Sequence, residues 1–139
     1  MRGEFLHEVV VKPKPWGREI WFAWTPGYAG KILEIKKGHR FSLQYHEKKT
    51  ETQLIIQGKV QFTYGQNAKK LKKQTLKAGQ KVDIFPGMIH RMEALEETVI
   101  FEVSSPELDD IVKLADDYGR TGKGNNDALD KKLAKKSQK

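Results

Sequence analysis

Eight short runs of β-branched and aromatic residues, each closed by Gly, Pro or a Lys-rich turn, constrain this chain more than any other feature. They cover residues 19–24, 31–35, 41–46, 52–56, 59–64, 82–85, 90–95 and 98–104. Gln57-Gly58 and Tyr64-Gly65-Gln66-Asn67 have turn composition. Many short strands at close spacing predict an all-β sandwich or barrel. With 139 residues the chain is long enough for one domain and one core. One helix is expected after the strands. Ser105 is a cap, Pro106 suits the first helical position, and Glu107 favours the dipole. Leu108, Ile111, Val112, Leu114 and Ala115 make an apolar stripe that ends at Gly119. The domain is therefore expected over residues 1–120. Residues 121–139 are Lys-rich, show no apolar stripe on this reading, and are expected to be disordered.

The net charge of +8 raises the question of nucleic acid. Half of it sits in that tail, which has six lysines and two aspartates. Lys69, Lys70, Lys72 and Lys73 crowd one turn and are expected to form a solvated loop. No aromatic-basic pattern, zinc-finger spacing or helix-turn-helix accompanies them, so nucleic acid is not the expected partner. The charged N-terminus lacks the apolar run of a signal peptide, and no stretch approaches a membrane span. A soluble, cytoplasmic protein without a membrane partner is expected.

The chemistry lies between Gly38 and Gly58. Alternate residues of a strand share a face, so Arg40, Ser42, Gln44 and His46 form a polar face opposite Phe41, Leu43 and Tyr45. Such a strand suits the wall of a cavity. Glu51 starts the next strand with Gln53 and Ile55 on its parity. Downstream, Phe85-Pro86-Gly87-Met88-Ile89 is a turn that delivers His90 onto a new strand. If the strand pairs meet, Gln44, His46, Glu51 and His90 converge. With no cysteine in the chain, this mixed N/O set suits one divalent ion, Zn, Mn, Fe, Co or Ni. Lys31 shares parity with Leu33 and Ile35 on an inward face, so it needs a ligand or an ion-pair partner such as Glu102. The same alternatives apply to Arg40, and Arg91 and Arg120 are read either as anion-binding groups or as salt-bridge partners.

Gly38, Gln44, His46, Glu51 and Gly58 have the spacing of the first cupin motif, with Gln44 where the first His usually stands. Gly79, Phe85, Gly87 and His90 have the spacing of the second, with Phe85 in place of a Pro. The chain thus resembles the cupins, and more narrowly their type II mannose-6-phosphate isomerase branch. Arg40-x-Ser42-Leu43-Gln44-x-His46, the opening Lys14-Pro15-Trp16-Gly17 and the closing Asp109-Asp110-Ile111-Val112 through Asp117-Tyr118-Gly119-Arg120 carry that narrower likeness, over residues 12–120. Lys14 replaces the branch's usual Arg, and Gln53 its usual Trp.

The resemblance implies a jelly roll with a C-terminal helix packed outside it, one divalent metal, and isomerisation of a phosphorylated sugar, mannose 6-phosphate to fructose 6-phosphate. The expected metal ligands are Gln44, His46, Glu51 and His90. Glu102 and Lys31 are the expected catalytic groups. Arg40, Lys31, Ser42, Gln53 and Arg91 are expected to hold substrate. A homodimer is expected, because a sheet edge needs covering. The competing functions are a non-catalytic binder of sugar phosphate or nucleotide sugar, and another metal-dependent cupin enzyme such as a dioxygenase.

Overall fold

A Thr25-Pro26-Gly27-Tyr28 turn joins the two longest strands, β2 (Gly17–Thr25) and β3 (Tyr28–Ile35), with Thr25 Oγ1 accepting the amides of Gly27 and Tyr28. The computed structural model describes residues 6–137. The remaining strands are β1 (Val10–Lys14), β4 (Leu43–Tyr45), β5 (Glu51–Gln57), β6 (Lys59–Gly65), β7 (Lys72–Lys77), β8 (Lys81–Ile84), β9 (Ile89–Ala94), β10 (Thr98–Ser104), β11 (Val112–Ala115) and β12 (Gly122–Lys123), and helix α1 (Asp127–Ser137) closes the chain. The strands form two antiparallel six-stranded sheets, ordered β1-β2-β3-β10-β5-β8 and β12-β11-β4-β9-β6-β7. This is the expected jelly roll.

The inner faces grade from apolar to ionisable along each strand. On β3 the buried series runs Ile35, Leu33, Lys31; on β10 it runs Ile100, Glu102; on β5 Ile55, Gln53, Glu51; on β9 Ala94, Met92, His90. The period of two keeps each series on one face. Antiparallel register sets the ionisable ends side by side: Glu102 pairs with Lys31 on one flank and Gln53 on the other, and Gln44 pairs with His90. The apolar ends form the core with Trp16, Phe41, Val60, Phe62, Leu76 and Ile84. Only Gly suits position 58, where φ is +95° and a Cβ would lie 2.4 Å from the Glu97 carbonyl oxygen.

The helix is not where it was expected. Residues 105–119 form turns and β11, not a helix. The competing interactions are specific. Asp110 accepts the amides of Glu47, Lys48 and Lys49, its carbonyl accepts His46 Nδ1–H, and Val112 pairs with Tyr45 of β4. Tertiary pairing overrides a helical stripe here. The helix lies instead in the tail that was expected to be disordered. Asn126 caps it, its Oδ1 accepting Leu129 N–H, and acidic residues lead into a basic last turn. It packs outside β1, with Asp130 and Ala134 buried. The lysine cluster also differs from a plain loop: Lys72 and Lys73 lie exposed on edge strand β7, where charge discourages edge pairing. Among the described residues no helix is long and apolar enough to cross a membrane.

Candidate metal centre and cavity

The turn before β9 docks on His46, the residue that follows β4. Gly87 N donates to His46 O (2.8 Å) and Met88 N to Phe85 O (3.1 Å), with Gly87 at φ +83°. This fixes the two histidines against each other, ring centroids 5.1 Å apart. His46, Glu51 and His90 are all buried, and one ligating atom from each lies within 4.8 Å of the others. Both Nε2 atoms stand 3.3 Å from Glu51 Oε1.

The orientation of the rings follows from the other ring nitrogens. His46 Nδ1 lies 2.6 Å from Asp110 O and His90 Nδ1 lies 3.0 Å from Met88 O. A carbonyl only accepts, so each Nδ1 carries a proton and each ring is oriented with its Nε2 turned inward, toward Glu51. Two imidazole Nε2 atoms and a carboxylate oxygen thus converge, and His90 Nε2 is a buried atom with no hydrogen-bond partner. Two imidazole nitrogens and a carboxylate aimed at one point fit a divalent cation, and backbone-anchored Nδ1–H groups are the usual support of metal-binding histidines. Gln44 lines the same cavity, its Oε1 accepting the Ser42 hydroxyl at 2.7 Å.

Behind the triad, Lys49 Nζ bridges Glu51 Oε2 (2.9 Å, an ion pair without hydrogen-bond alignment) and Glu102 Oε2 (3.2 Å). Gln53 Nε2 donates to Glu102 Oε1 at 2.8 Å. Burial opposes the charged form of Lys49, but the Glu102 and Glu51 carboxylates outweigh it and raise its pKa. Burial also opposes ionisation of Glu51, yet Lys49 and the two histidines hold it well below the usual carboxylate range. Glu102 goes the other way: burial, then the nearby Glu51 charge, push its pKa up. The two neighbouring carboxyls are thereby driven apart in acidity, Glu51 downward and Glu102 upward.

The structure brings together Lys31, Ser42, Gln44, His46, Glu51, Gln53 and Glu102 on one cavity, and His90 completes the triad against Glu51. The partner of Lys31 is Glu19 at 3.1 Å, not Glu102, and its ammonium also lies 5.0 Å from the Trp21 ring centre. Arg40 does not point into the cavity. Its Nε and Nη2 each donate to Asp117 at 2.8 Å, and the side chain is about one-third exposed. Regular strand begins only at Leu43, so counting parity from Arg40 fails, and Phe41 and Ser42 are both buried. Arg91 is likewise outside, donating to the carbonyls of Phe41 (3.0 Å) and Ala115 (3.3 Å). Arg40→Lys should therefore leave the affinity of a cavity ligand unchanged and cost less than about 1 kcal/mol, as an exposed pair does. Calorimetry with mannose 6-phosphate checks this; a tenfold loss would return Arg40 to the site.

Four polar residues of the cavity carry no sign of that role in the sequence: Glu19, Lys49, Lys113 and Asn125. Lys49 reads as part of the solvated run Glu47-Lys48-Lys49, and Lys113 was lost to the helix assignment. A polar residue at each cover position, Lys113 and Asn125, with Leu108 and Ile111, closes the cavity from the segment after β10.

The mannose-6-phosphate isomerase C-terminal family matches residues 4–116 of the chain. No curated protein sequence matches it. Among solved structures, the capsular polysaccharide assembling protein CapF from Staphylococcus aureus superposes with a TM-score of 0.69 at 18% identity, over 83% of this chain and 34% of CapF. KdgF from Halomonas sp. gives 0.63 at 19% identity, over 76% of this chain and 92% of KdgF. Oxalate decarboxylase from Bacillus subtilis gives 0.66 at 16% identity, over 77% and 30%. The chain spans about a third of CapF and of the decarboxylase. At these identities the likeness is one of fold.

Proposed function

Because the chain belongs to the mannose-6-phosphate isomerase C-terminal family of cupins, we propose that it is a metal-dependent aldose–ketose isomerase of a phosphorylated sugar, with mannose 6-phosphate and fructose 6-phosphate as the pair. The observation that carries this reading is the placement of Glu102, a buried carboxyl with raised pKa, on the same cavity as the His46–Glu51–His90 triad. The isomerisation moves a proton between C1 and C2, so it needs a group that both takes and returns one. Glu102 has that character, and Lys49 and Gln53 fix its two oxygens. A divalent ion held by His46, Glu51 and His90, with Gln44 beside them, would polarise the sugar carbonyl and stabilise charge developing on oxygen. Gln53 Oε1 is buried without a partner and is available to a sugar hydroxyl. Lys31, shared between Glu19 and the Trp21 face, supplies positive charge to the same wall.

The test is a coupled isomerase assay on metal-loaded protein with a panel of phosphorylated sugars. Turnover of mannose 6-phosphate is expected, and Glu102→Gln should lower kcat by about 10²–10⁴-fold with metal content retained. No turnover of any phosphorylated aldose, or full activity in Glu102→Gln, would contradict the reading. The cavity's size bears on this reading and equally on a second, a binder without turnover. The free space of the cavity is about 50 Å³, whereas ligand pockets run to about 300–1,000 Å³. A sugar phosphate therefore enters only if the cover from Leu108 to Asn125 shifts. Binding without turnover in the same assay would select this second reading.

A further inference from the structure

Five cations line the cavity: Lys14, Lys31, Lys49, Lys113 and Arg120. Four are held by carboxylates. Lys14 meets Asp130 at 2.7 Å, Lys31 meets Glu19 at 3.1 Å, Lys49 meets Glu51 and Glu102, and Arg120 meets Asp116 at 2.8 Å and Asp130 at 3.2 Å. Lys113 differs. Its Nζ donates to the Gly124 carbonyl at 2.8 Å, and among the described residues no carboxylate lies within ion-pair distance. An ammonium has three protons to donate. The side chain is nonetheless buried, at 8% exposure. A buried cation without an anionic partner is costly, and such a group commonly marks a ligand site.

Its position gives the ligand a direction. Lys113 on β11 pairs in register with Gln44 on β4, and Gln44 pairs with His90 on β9. The three residues form one row across adjacent strands, each about 5 Å from the next. We propose that Lys113 is the group that reads the anionic end of the cavity's ligand, binding a phosphate or carboxylate oxyanion while the other end of the ligand approaches His46, Glu51 and His90. This deepens the proposed function, on which it rests for the choice of sugar, and it moves the anion-binding role from Arg40 to Lys113.

Lys113→Met keeps the aliphatic stem and removes the charge. It leaves no carboxylate unpaired, so the fold should survive; Lys113→Gln serves if it does not. Titration calorimetry on metal-loaded protein with inorganic phosphate, mannose 6-phosphate, mannuronate and neutral mannose reads the effect. Either neutral variant should weaken the anions by about tenfold or more, the worth of a charged hydrogen bond. Mannose should be unaffected, metal content should be unchanged by elemental analysis, and Lys113→Arg should stay within about threefold of wild type, because the charge is kept. Preference between mannose 6-phosphate and mannuronate then separates phosphate from carboxylate as the natural oxyanion. Equal loss of mannose and mannose 6-phosphate, unchanged anion affinity, or a wild type that binds no anion more tightly than mannose would overturn the assignment. Turnover by wild type with unchanged anion affinity in Lys113→Met removes Lys113 and leaves the isomerase. Anion binding lost in Lys113→Met, with no turnover by wild type, removes the isomerase and leaves Lys113.

Discussion

Asp130→Asn should lower the melting temperature by roughly 10 °C, although it lies in a tail whose composition reads as disordered. Asp130 is 1% exposed and holds two buried cations at once, Lys14 Nζ at 2.7 Å and Arg120 Nη1 at 3.2 Å. Removing its charge leaves both cations short of an anion inside the protein. Breaking a buried ion pair from one side costs about 3–5 kcal/mol. Arg120 retains Asp116 and Lys14 retains the nearby Glu19 charge, which moderate the loss without replacing the Asp130 contacts. Truncation after Asn126 should be at least as damaging, because it also removes the Ser137 hydroxyl bond to Pro15 O and the Lys12–Asp127 pair. Lys131→Ala, an exposed position on the same helix, is the control and should change stability by less than about 0.5 kcal/mol. Calorimetric or dichroism melts of the variants decide it. A truncated protein that melts with wild type would show that the helix contributes nothing to the fold. The consequence for function is direct, since Lys14 and Arg120 also line the cavity: the tail helix holds two of the cavity's cations in place.

The strands and the triad were legible in the sequence because both depend on short-range spacing. On β5, Glu51, Gln53 and Ile55 alternate inward as the period of two requires, and the Gly-framed turns place His46 and His90 at fixed offsets from strand starts. What stayed hidden depends on contacts distant in the chain. Nothing local to Glu47-Lys48-Lys49 shows that Lys49 turns inward; that follows from three successive amides bonding the Asp110 carboxylate, some sixty residues on. Arg40 misled because its guanidinium found Asp117 and because strand geometry starts three residues later. The stripe from Leu108 to Ala115 fits a helix equally well, and the free edge of β4 decided against it. The true helix did have a local signal, the Asn126 cap before Asp127 with Leu129 and Leu133 four apart, but the surrounding lysines obscured it.

His46→Ala combined with His90→Ala should remove the metal altogether. Each ring presents its Nε2 to one point because its Nδ1–H is held by a backbone carbonyl, Asp110 O or Met88 O. Without the two imidazoles only Glu51 remains of the three converging groups, and its second oxygen faces Lys49. A single carboxylate paired to an ammonium is no site for a transition ion. The fold should persist at reduced stability, since the apolar layers from Ile55, Met92 and Ile100 lie below the site, and the dichroism spectrum of the double variant checks that it does. The measurement is elemental analysis of purified wild type and double variant after exposure to Zn, Mn, Fe, Co and Ni in turn and removal of free ion. One equivalent of a divalent ion per wild-type chain is expected, and none in the folded double variant; stoichiometric metal in that variant, or none in the wild type with any of the five ions, would show that His46 and His90 do not hold a metal.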